Sequence, residues 1–354
     1  MTSPRDRVLA AINHQPCDRV PTDYWGTPEM TDKLCRHLEC ATQLEMYDHL
    51  GIDGILSAAP PYSGPPLPEA YDNDWYYELQ AWGMRFKAQT YDGGQYWEQV
   101  HYPLAEAETI ADLQAYPWPD PDWYDYAALA RECVPLAESG RALQVGYTAI
   151  FYYHNMLRGL EQSLMDPLLE PEFTHYLIRR ITDFFLEYHR RCFEAAGDLV
   201  DITQVTDDWG AQKGLLTSPR VFETFYRAPT QQAIDLAKSC GIIVFHHDDG
   251  DMRPLLPTLV EMGIDVLNPL QWRCGDWDLA ALKAEFGGSV CFHGGVDNQR
   301  TLPFGAPEDV RAEVERLVET LAGDRTGFIL APCHAIQSNT PVENVLAMYE
   351  AVRR

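Results

Sequence analysis

The sequence predicts an α/β protein, a (β/α)8 TIM barrel, on three observations. Eight short apolar runs recur along 354 residues, segments of helical period fall between them, and proline or acidic entry signals open several of those segments. Strands that alternate with helices call for a parallel sheet, and eight such units can close on themselves. An open doubly wound sheet is the competing arrangement, but no G-x-G-x-x-G follows the first strand to give it a nucleotide to bind.

The strands are read at 19–25, 54–58, 142–147, 199–203, 242–246, 266–268, 289–293 and 327–332, and the clearest helices at 172–196, 219–239, 307–321 and 341–353. Ser218-Pro219, Ala306-Pro307 and Thr340-Pro341 mark helix starts, because proline is tolerated in a first turn that has no partner for its N–H. One interruption falls at 60–102, between the second strand and its helical return. A proline-rich run, PPYSGPPLPEA, leads into aromatic, alternating segments at 75–90 and 95–102 around Asp92-Gly93-Gly94, which read as a β-hairpin. Such an insert either covers an active site or serves a dimer contact, and the sequence leaves both open. No repeat or linker divides the chain, so residues 1–354 are read as one domain.

Composition narrows the function classes. Hydrophobic residues make up 46% and charged residues 23%, ordinary for a globular chain. No stretch approaches the roughly 20 apolar residues of a membrane helix. The opening MTSPRDRVLAAINHQ carries charge where an export signal would carry an apolar core, so a cytoplasmic protein is expected. Nine cysteines without C-x-x-C spacing suit free thiols. With 53 acidic and 27 basic residues the net charge is −26, which opposes nucleic acid and anionic lipid and weighs against a highly anionic substrate.

In a barrel the reacting groups sit where strands end. Four of the eleven histidines fall there: His246 and His247 after IIVF, His293 after VCF, and His334 after ILAPC. Asp53, Asp207, Asp208, Asp248, Asp249, Asp251, Asn268, Gln271, Asp297 and Gln337 join them. Each has a structural alternative. A strand-end histidine often only satisfies a hydrogen bond, Asp208 can hold loop amides, and Cys333 can pack as a small apolar residue. Side chains alternate along a strand, so one of His246 and His247 faces inward, and His247 is favoured. Of Tyr147, Tyr152, Tyr153 and His154 after the third strand, most are expected in the core. Zinc accepts imidazole, carboxylate and thiolate, so His247, Asp249 and His334, with Cys333 as an alternative, form a candidate ligand set. Without a metal the same groups make an acid–base pocket.

At these motifs the chain resembles the uroporphyrinogen decarboxylase superfamily. The resemblance rests on RDRVLAAINHQPCDRVPTDYWG, GIDGILSAAP, TDDWGAQKGLLTSPRVFETFYRAP, FHHDDGDMRPLLPTLVEMGIDVLNPLQ, FHGGVDNQRTLPFGAPEDVRAEV and GFILAPCHAIQSNTPVENVLAMYEA, in that order. It implies a distorted (β/α)8 barrel, often a homodimer, with a deep cleft at the strand ends. The decarboxylases of that superfamily use an arginine-rich N-terminal loop, an aspartate, a tyrosine and a late histidine, without a cofactor. Asp53 and His334 resemble the aspartate and histidine, and Tyr152 or Tyr153 the tyrosine. No basic residue lies between Asp23 and Asp32, so the arginine loop is missing. The other branch resembles corrinoid-dependent methyltransferases, whose thiol-activating members bind zinc through H-x-C and a later Cys. The matching positions here are His247-Asp248-Asp249 and His334, harder donors suited to an oxygen substrate.

The leading expectation is therefore a methyltransferase-like enzyme acting on a small substrate, with zinc and a corrinoid partner protein implied by the resemblance. His334, Asp208, Asp53 and Tyr153 are its catalytic candidates, and Gln212, Asn268, Gln271, His293 and Trp25 its substrate-binding candidates. Cofactor-free decarboxylation through Asp53 and His334 is the second reading. The third is a non-catalytic barrel that holds a tetrapyrrole or corrinoid against Tyr62, Trp75, Tyr76, Tyr77 and Trp82.

Overall fold

The computed structural model describes residues 2–69, 71, 74–91 and 94–353. In chain order its strands are β1 (Ile55–Ala58), β2 (Arg85–Tyr91), β3 (Gly94–His101), β4 (Ala142–Thr148), β5 (Ile202–Val205), β6 (Gly210–Ala211), β7 (Gly214–Leu215), β8 (Ile243–His247), β9 (Val266–Asn268), β10 (Cys291–Val296) and β11 (Phe328–Pro332). Seven of them form one curled parallel sheet in the order β1-β4-β5-β8-β9-β10-β11. The predicted alternation of strands and helices is present, with long helices at Pro171–Ala196, Pro307–Ala322 and Val342–Ala351. No described helix is long and apolar enough to cross a membrane.

The first predicted strand departs from regularity. Residues 22–26 lie between β11 and β1 but make only isolated bridges, Thr22 to Leu330 and Gly26 to Ile336. Toward β11 the backbone bonds continue, from Asp23 N to Leu330 O, Leu330 N to Pro21 O and Ile336 N to Trp25 O, each 2.9 Å. Toward β1 they stop after Thr22, whose carbonyl accepts from Asp53 N and Gly54 N. The next amide, Ile55 N, donates to the side chain of Asp23 at 3.0 Å. Beyond that point the segment and β1 diverge, leaving a slit of about 500 Å³ lined by Tyr24, Trp25, Ile55 and Ser57 among others.

Inside the curl, Ala142, Ile202, Phe245, Val266, Cys291 and Ile329 each come from a different strand and pack against Val8, Ala11 and Ile12. Those three belong to the helix Pro4–Ile12, which Ser3 and Asp6 start with reciprocal capping bonds. Each such buried aliphatic or aromatic side chain stabilises by roughly 1.5–3 kcal/mol. The helix thus closes the amino-terminal end of the sheet and leaves the carboxyl end open. Outside, a larger apolar layer joins the strands to the surrounding helices.

Two other predictions shift. The helix expected at 219–239 is broken into Pro219–Val221, a π turn at Phe222–Tyr226 and Arg227–Ser239. Pro229 lacks the N–H that a regular turn would give back to the preceding turn, and the wide turn lies just ahead of it. The hairpin insert is present as β2 paired antiparallel with β3, Ala88 opposite Trp97. Its first part, however, is helical at Asp74–Leu79. Trp82 then anchors the insert, its ring 4.7 Å from Phe184 and 4.8 Å from Tyr153. The side chain of Trp75 and the turn residues Asp92 and Gly93 lie outside the described residues.

Candidate functional site

The site is built on the adjacent ends of β8 and β9, where His247 pairs in register with Asn268. His247 Nδ1 and Asn268 Oδ1 are 2.5 Å apart, Asn268 Nδ2 and His293 Nδ1 2.7 Å, and His293 Nε2 and Asp23 Oδ2 3.0 Å. One polarity satisfies the whole chain. An ionised carboxylate only accepts, so His293 donates through Nε2–H and accepts at Nδ1. Asn268 then gives its amide N–H to His293 and its oxygen to His247, which must donate through Nδ1–H. The Nε2 lone pair of His247 is left on the side away from Asn268. Asn268, His293 and Asp23 are all buried. Asp23 Oδ2 also accepts from Trp25 Nε1 at 3.2 Å. The Trp25 ring lies over His247, centroids 5.4 Å apart and 26° between planes, and edge-on to His334 at 6.3 Å.

Two loops bring carboxylates to that lone pair. Asp248 at the end of one loop accepts from Trp209 N (2.8 Å) and Gly210 N (3.1 Å) in the other, and Asp251 N donates to Ala211 O at 2.7 Å. The backbones cross so closely at Gly210 and Gly250 that a Cβ on the first would meet Asp249 O at 2.1 Å, and one on the second Gly210 C at 2.6 Å. Gln271 Oε1 accepts from Gly250 N at 2.7 Å and fixes the loop from below. Asp208 and Asp249 are held side by side as a result: His247 Nε2 lies 3.8 Å from Asp208 Oδ1 and 3.7 Å from Asp249 Oδ1. His334 Nε2 lies 3.5 Å from Asp249 Oδ2.

One donor atom each from His247, Asp249 and His334 fall within 4.8 Å of one another. Tetrahedral zinc with bonds of about 2.0–2.1 Å would separate its donors by about 3.3 Å. Asp249 Oδ1 is buried with no hydrogen-bond partner, an orphaned acceptor facing this gap. The three residues fit a bound divalent ion. Burial lowers the pKa of His334 against the opposing pull of Asp249, so its imidazole is neutral at neutral pH. Burial raises that of Asp208, with His247 pulling the other way and the neighbouring Asp249 charge adding to the rise.

Several expected residues lie elsewhere. Asp53 precedes β1, at the amino-terminal end of the sheet, where Arg7 (2.5 Å), Arg19 (2.7 Å) and Thr22 N (3.0 Å) occupy its carboxylate. The carboxyl end of β1 reads Ser57-Ala58-Ala59 and offers no acid. Tyr153 is a core residue against Trp82 and Phe185. Tyr152 lies near Asp208, as does Tyr147: burial first, and then that charge, raises the hydroxyl pKa of Tyr152. Cys333 is buried and turned away, its thiol donating to Leu270 O at 3.3 Å, and burial keeps it protonated. Gln212 is exposed in the β6–β7 turn, with the Cys274 thiol 3.7 Å away. His293 is inside β10, below the rim. His246 points away from His247, its Nδ1 2.7 Å from Val205 O, and burial pushes its pKa down to about 4. Asp207 accepts from Tyr152 N at 2.8 Å and so holds the start of the helix Ile150–Arg158. Asp251 accepts from Trp277 Nε1, and Asp297 pairs with Arg273 at 2.8 Å. Asp23 was missed, although an acid two residues before Trp25 in a strand-end position was there to be read.

Beyond His334 opens a cavity of about 710 Å³, roofed by the hairpin and lined by Thr27, Pro28 and Glu29, by Tyr76, Tyr91, Gln95, Tyr96 and Trp97, and by Gln337. Among the described residues no Lys or Arg lines it. Of the insert aromatics expected to stack on a flat ligand, Tyr62 and Tyr77 pack on each other and Trp82 is in the core, leaving Tyr76 at the cavity.

A curled parallel sheet that gathers imidazoles and carboxylates at its strand ends defines the class, a TIM-barrel-like α/β fold with its candidate chemistry on the carboxyl face. The chain belongs to the uroporphyrinogen decarboxylase (URO-D) family, whose profile matches residues 73–354. A uroporphyrinogen decarboxylase from Methylibium petroleiphilum is 26% identical over 271 residues, covering 71% of this chain and 68% of the relative. One from Legionella pneumophila is 29% identical over 187 residues, 52% of this chain and 48% of the relative, so the match spans about half of that protein. Among solved structures, a methyltransferase from Methanosarcina mazei superposes with a TM-score of 0.67 at 19% identity, covering 100% of this chain and 99% of that one. That likeness shows a shared fold.

Proposed function

We propose that the chain is a metal-dependent, methyltransferase-like enzyme acting on a small substrate at the mouth of a barrel in which residues 22–26 serve as the eighth stave. The observation that carries this reading is the meeting of His247, Asp249 and His334 with donor atoms within 4.8 Å, one imidazole already oriented with its lone pair outward. A zinc ion held there would act as a Lewis acid toward an oxygen of the substrate. The protein's own groups do the remaining work. Asn268, His293 and Asp23 hold His247 in the tautomer that presents Nε2. Asp208, its carboxylate 3.8 Å from that nitrogen, stands where it can take a hydrogen bond or a proton from the substrate. Trp25 covers one face of His247 and keeps water from it. A corrinoid protein as methyl partner, a homodimer and a cytoplasmic location belong to the same proposal, on the strength of the family resemblance.

The decarboxylase reading is favoured by the names of the relatives. Against it, Asp53 is consumed by Arg7 and Arg19, and an octacarboxylate would enter a cavity lined by no cation. Elemental analysis separates the two. We expect about one zinc per chain after purification without chelator, lost in His247→Ala and His334→Ala, retained in Cys333→Ala, with circular dichroism unchanged in all three. Full zinc retention in both histidine variants, or no zinc uptake by the native protein, overturns the metal reading. Partially decarboxylated products from uroporphyrinogen would establish the other.

A further inference from the structure

The cavity beyond His334 has an unusual wall for an enzyme of anionic metabolites. Aromatic residues supply much of it: Tyr76 and Trp97 with ring centroids 5.8 Å apart, and Tyr91 and Tyr96 at 6.4 Å. Tyr91 and Tyr96 are 43% and 55% exposed, so their surface is available to a ligand and not spent on packing. Glu29 is the charged residue of the lining, and among the described residues it has no ion-pair partner. Its carboxylate reaches the end of the hairpin: a Cβ on Gly94 would meet Glu29 Oε1 at 3.3 Å and Tyr91 Oη at 2.7 Å, so acid and phenol converge at one spot. At the inner end His334 carries a carboxylate behind it, its Nε2 3.5 Å from Asp249 Oδ2.

Ring faces are negative and carboxylates more so, and a weakly hydrated organic cation is the ligand that gains from both. An anion would meet Glu29 and the negative ring faces with no Lys or Arg among the described lining residues to offset them. A neutral aromatic would stack but gain nothing from Glu29. We propose that this chamber receives a methylated ammonium head group, making the substrate class an organic cation whose remaining part extends toward His334. The inference rests on the reading above only where it makes the bound cation a substrate; binding itself does not require the metal.

Isothermal titration and tryptophan fluorescence on chelator-treated, full-length protein test it, with choline and its uncharged isostere 3,3-dimethylbutan-1-ol as probes and anisole as the neutral aromatic. Each ring facing the cation at a part-exposed site strengthens binding by about two- to fivefold. Choline should therefore bind at least about tenfold tighter than either neutral probe. Glu29→Gln should weaken choline by about threefold or more and leave the isostere unchanged. Trp97→Leu should weaken choline and the fluorescence response together, with Glu29→Gln as the measure that survives if the tryptophan variant misfolds. Equal binding of choline and its isostere, tighter binding of anisole, or no choline binding up to about 50 mM, an affinity too weak to matter at cellular concentrations, overturns the proposal. Because the protein is metal-free here, such a failure leaves the zinc measurement standing, and a failure of zinc to bind leaves this one standing.

Discussion

Asn268→Leu isolates the orientation of His247 from its mere presence. The substitution keeps roughly the same volume but removes both bonds, 2.5 Å to His247 Nδ1 and 2.7 Å to His293 Nδ1. His247 is then free to turn or to carry its proton on Nε2, where a metal needs the lone pair. Loss of an outer hydrogen-bond partner of a ligating histidine typically costs 10–100-fold in metal affinity, about 1.4–2.7 kcal/mol. His293, fully buried, loses the donor to its Nδ1, which costs roughly 1–3 kcal/mol of stability. In a chain of 354 residues that lowers the melting temperature by about 1–4 °C. Asn268→Asp supplies the contrast, because a carboxylate still accepts from His247 Nδ1–H and should retain most of the zinc affinity. Competition against a chromophoric chelator at pH 7.5 reads both variants, with melting curves in parallel. Zinc affinity of Asn268→Leu within about twofold of the native protein, or equal losses in the two variants, would refute the argument from polarity.

Two further outcomes follow from groups away from the site. Asp53→Ala removes one of the two carboxylates on the nearly buried Arg7, which keeps Asp18, and should destabilise by about 1.5–3 kcal/mol in urea titration, while zinc per folded chain stays the same; zinc loss at unchanged stability would move Asp53 back toward the chemistry. His189 is fully buried against Thr148, and burial lowers its pKa from 6.5 to about 4. The folded state therefore refuses a proton that the unfolded chain accepts below pH 6.5, so this contribution is complete above that pH and is lost as pH falls toward 4. Between pH 6.5 and 5 the native protein should lose about 2 kcal/mol more than His189→Gln in denaturant titrations, and parallel pH profiles would contradict it.

Much of this fold is legible because its signals are local. Apolar runs and helix-entry prolines are read within a few residues, and helices such as Pro171–Ala196 and Pro307–Ala322 begin within a residue of where the pattern places them. Alternation along β8 puts only one of two adjacent histidines on the inner face, and in the structure that is His247, on the side of Phe245. The misplacements have identifiable causes. Asp53 stands at the edge of an apolar run, and periodicity does not say whether an edge is a strand's beginning or its end. The apolar run places a strand end at His293, yet the strand continues through Gly294 and Gly295 to Val296. Cys333 neighbours His334 in sequence, but adjacent side chains diverge, and only the histidine reaches Asp249.

Asp23 shows what a local signal does not carry. Its partner His293 is 270 residues away, and nothing near Asp23 in the chain announces the pairing. The same carboxylate explains the irregular eighth segment. A regular strand at 22–26 would present a backbone carbonyl to Ile55 N; here Asp23 Oδ1 takes that amide at 3.0 Å, and its Oδ2 faces inward to His293. The ladder to β1 breaks at the residue whose side chain has left the usual register to do this. A carboxylate acting as a substitute rung is fixed by the sheet itself, so the acceptor that sets the His293 tautomer, and through Asn268 that of His247, is held as rigidly as backbone. The gap in the sheet and the outward lone pair of His247 are thus consequences of one placement, which is why a strand pattern drawn from hydrophobicity alone misses both.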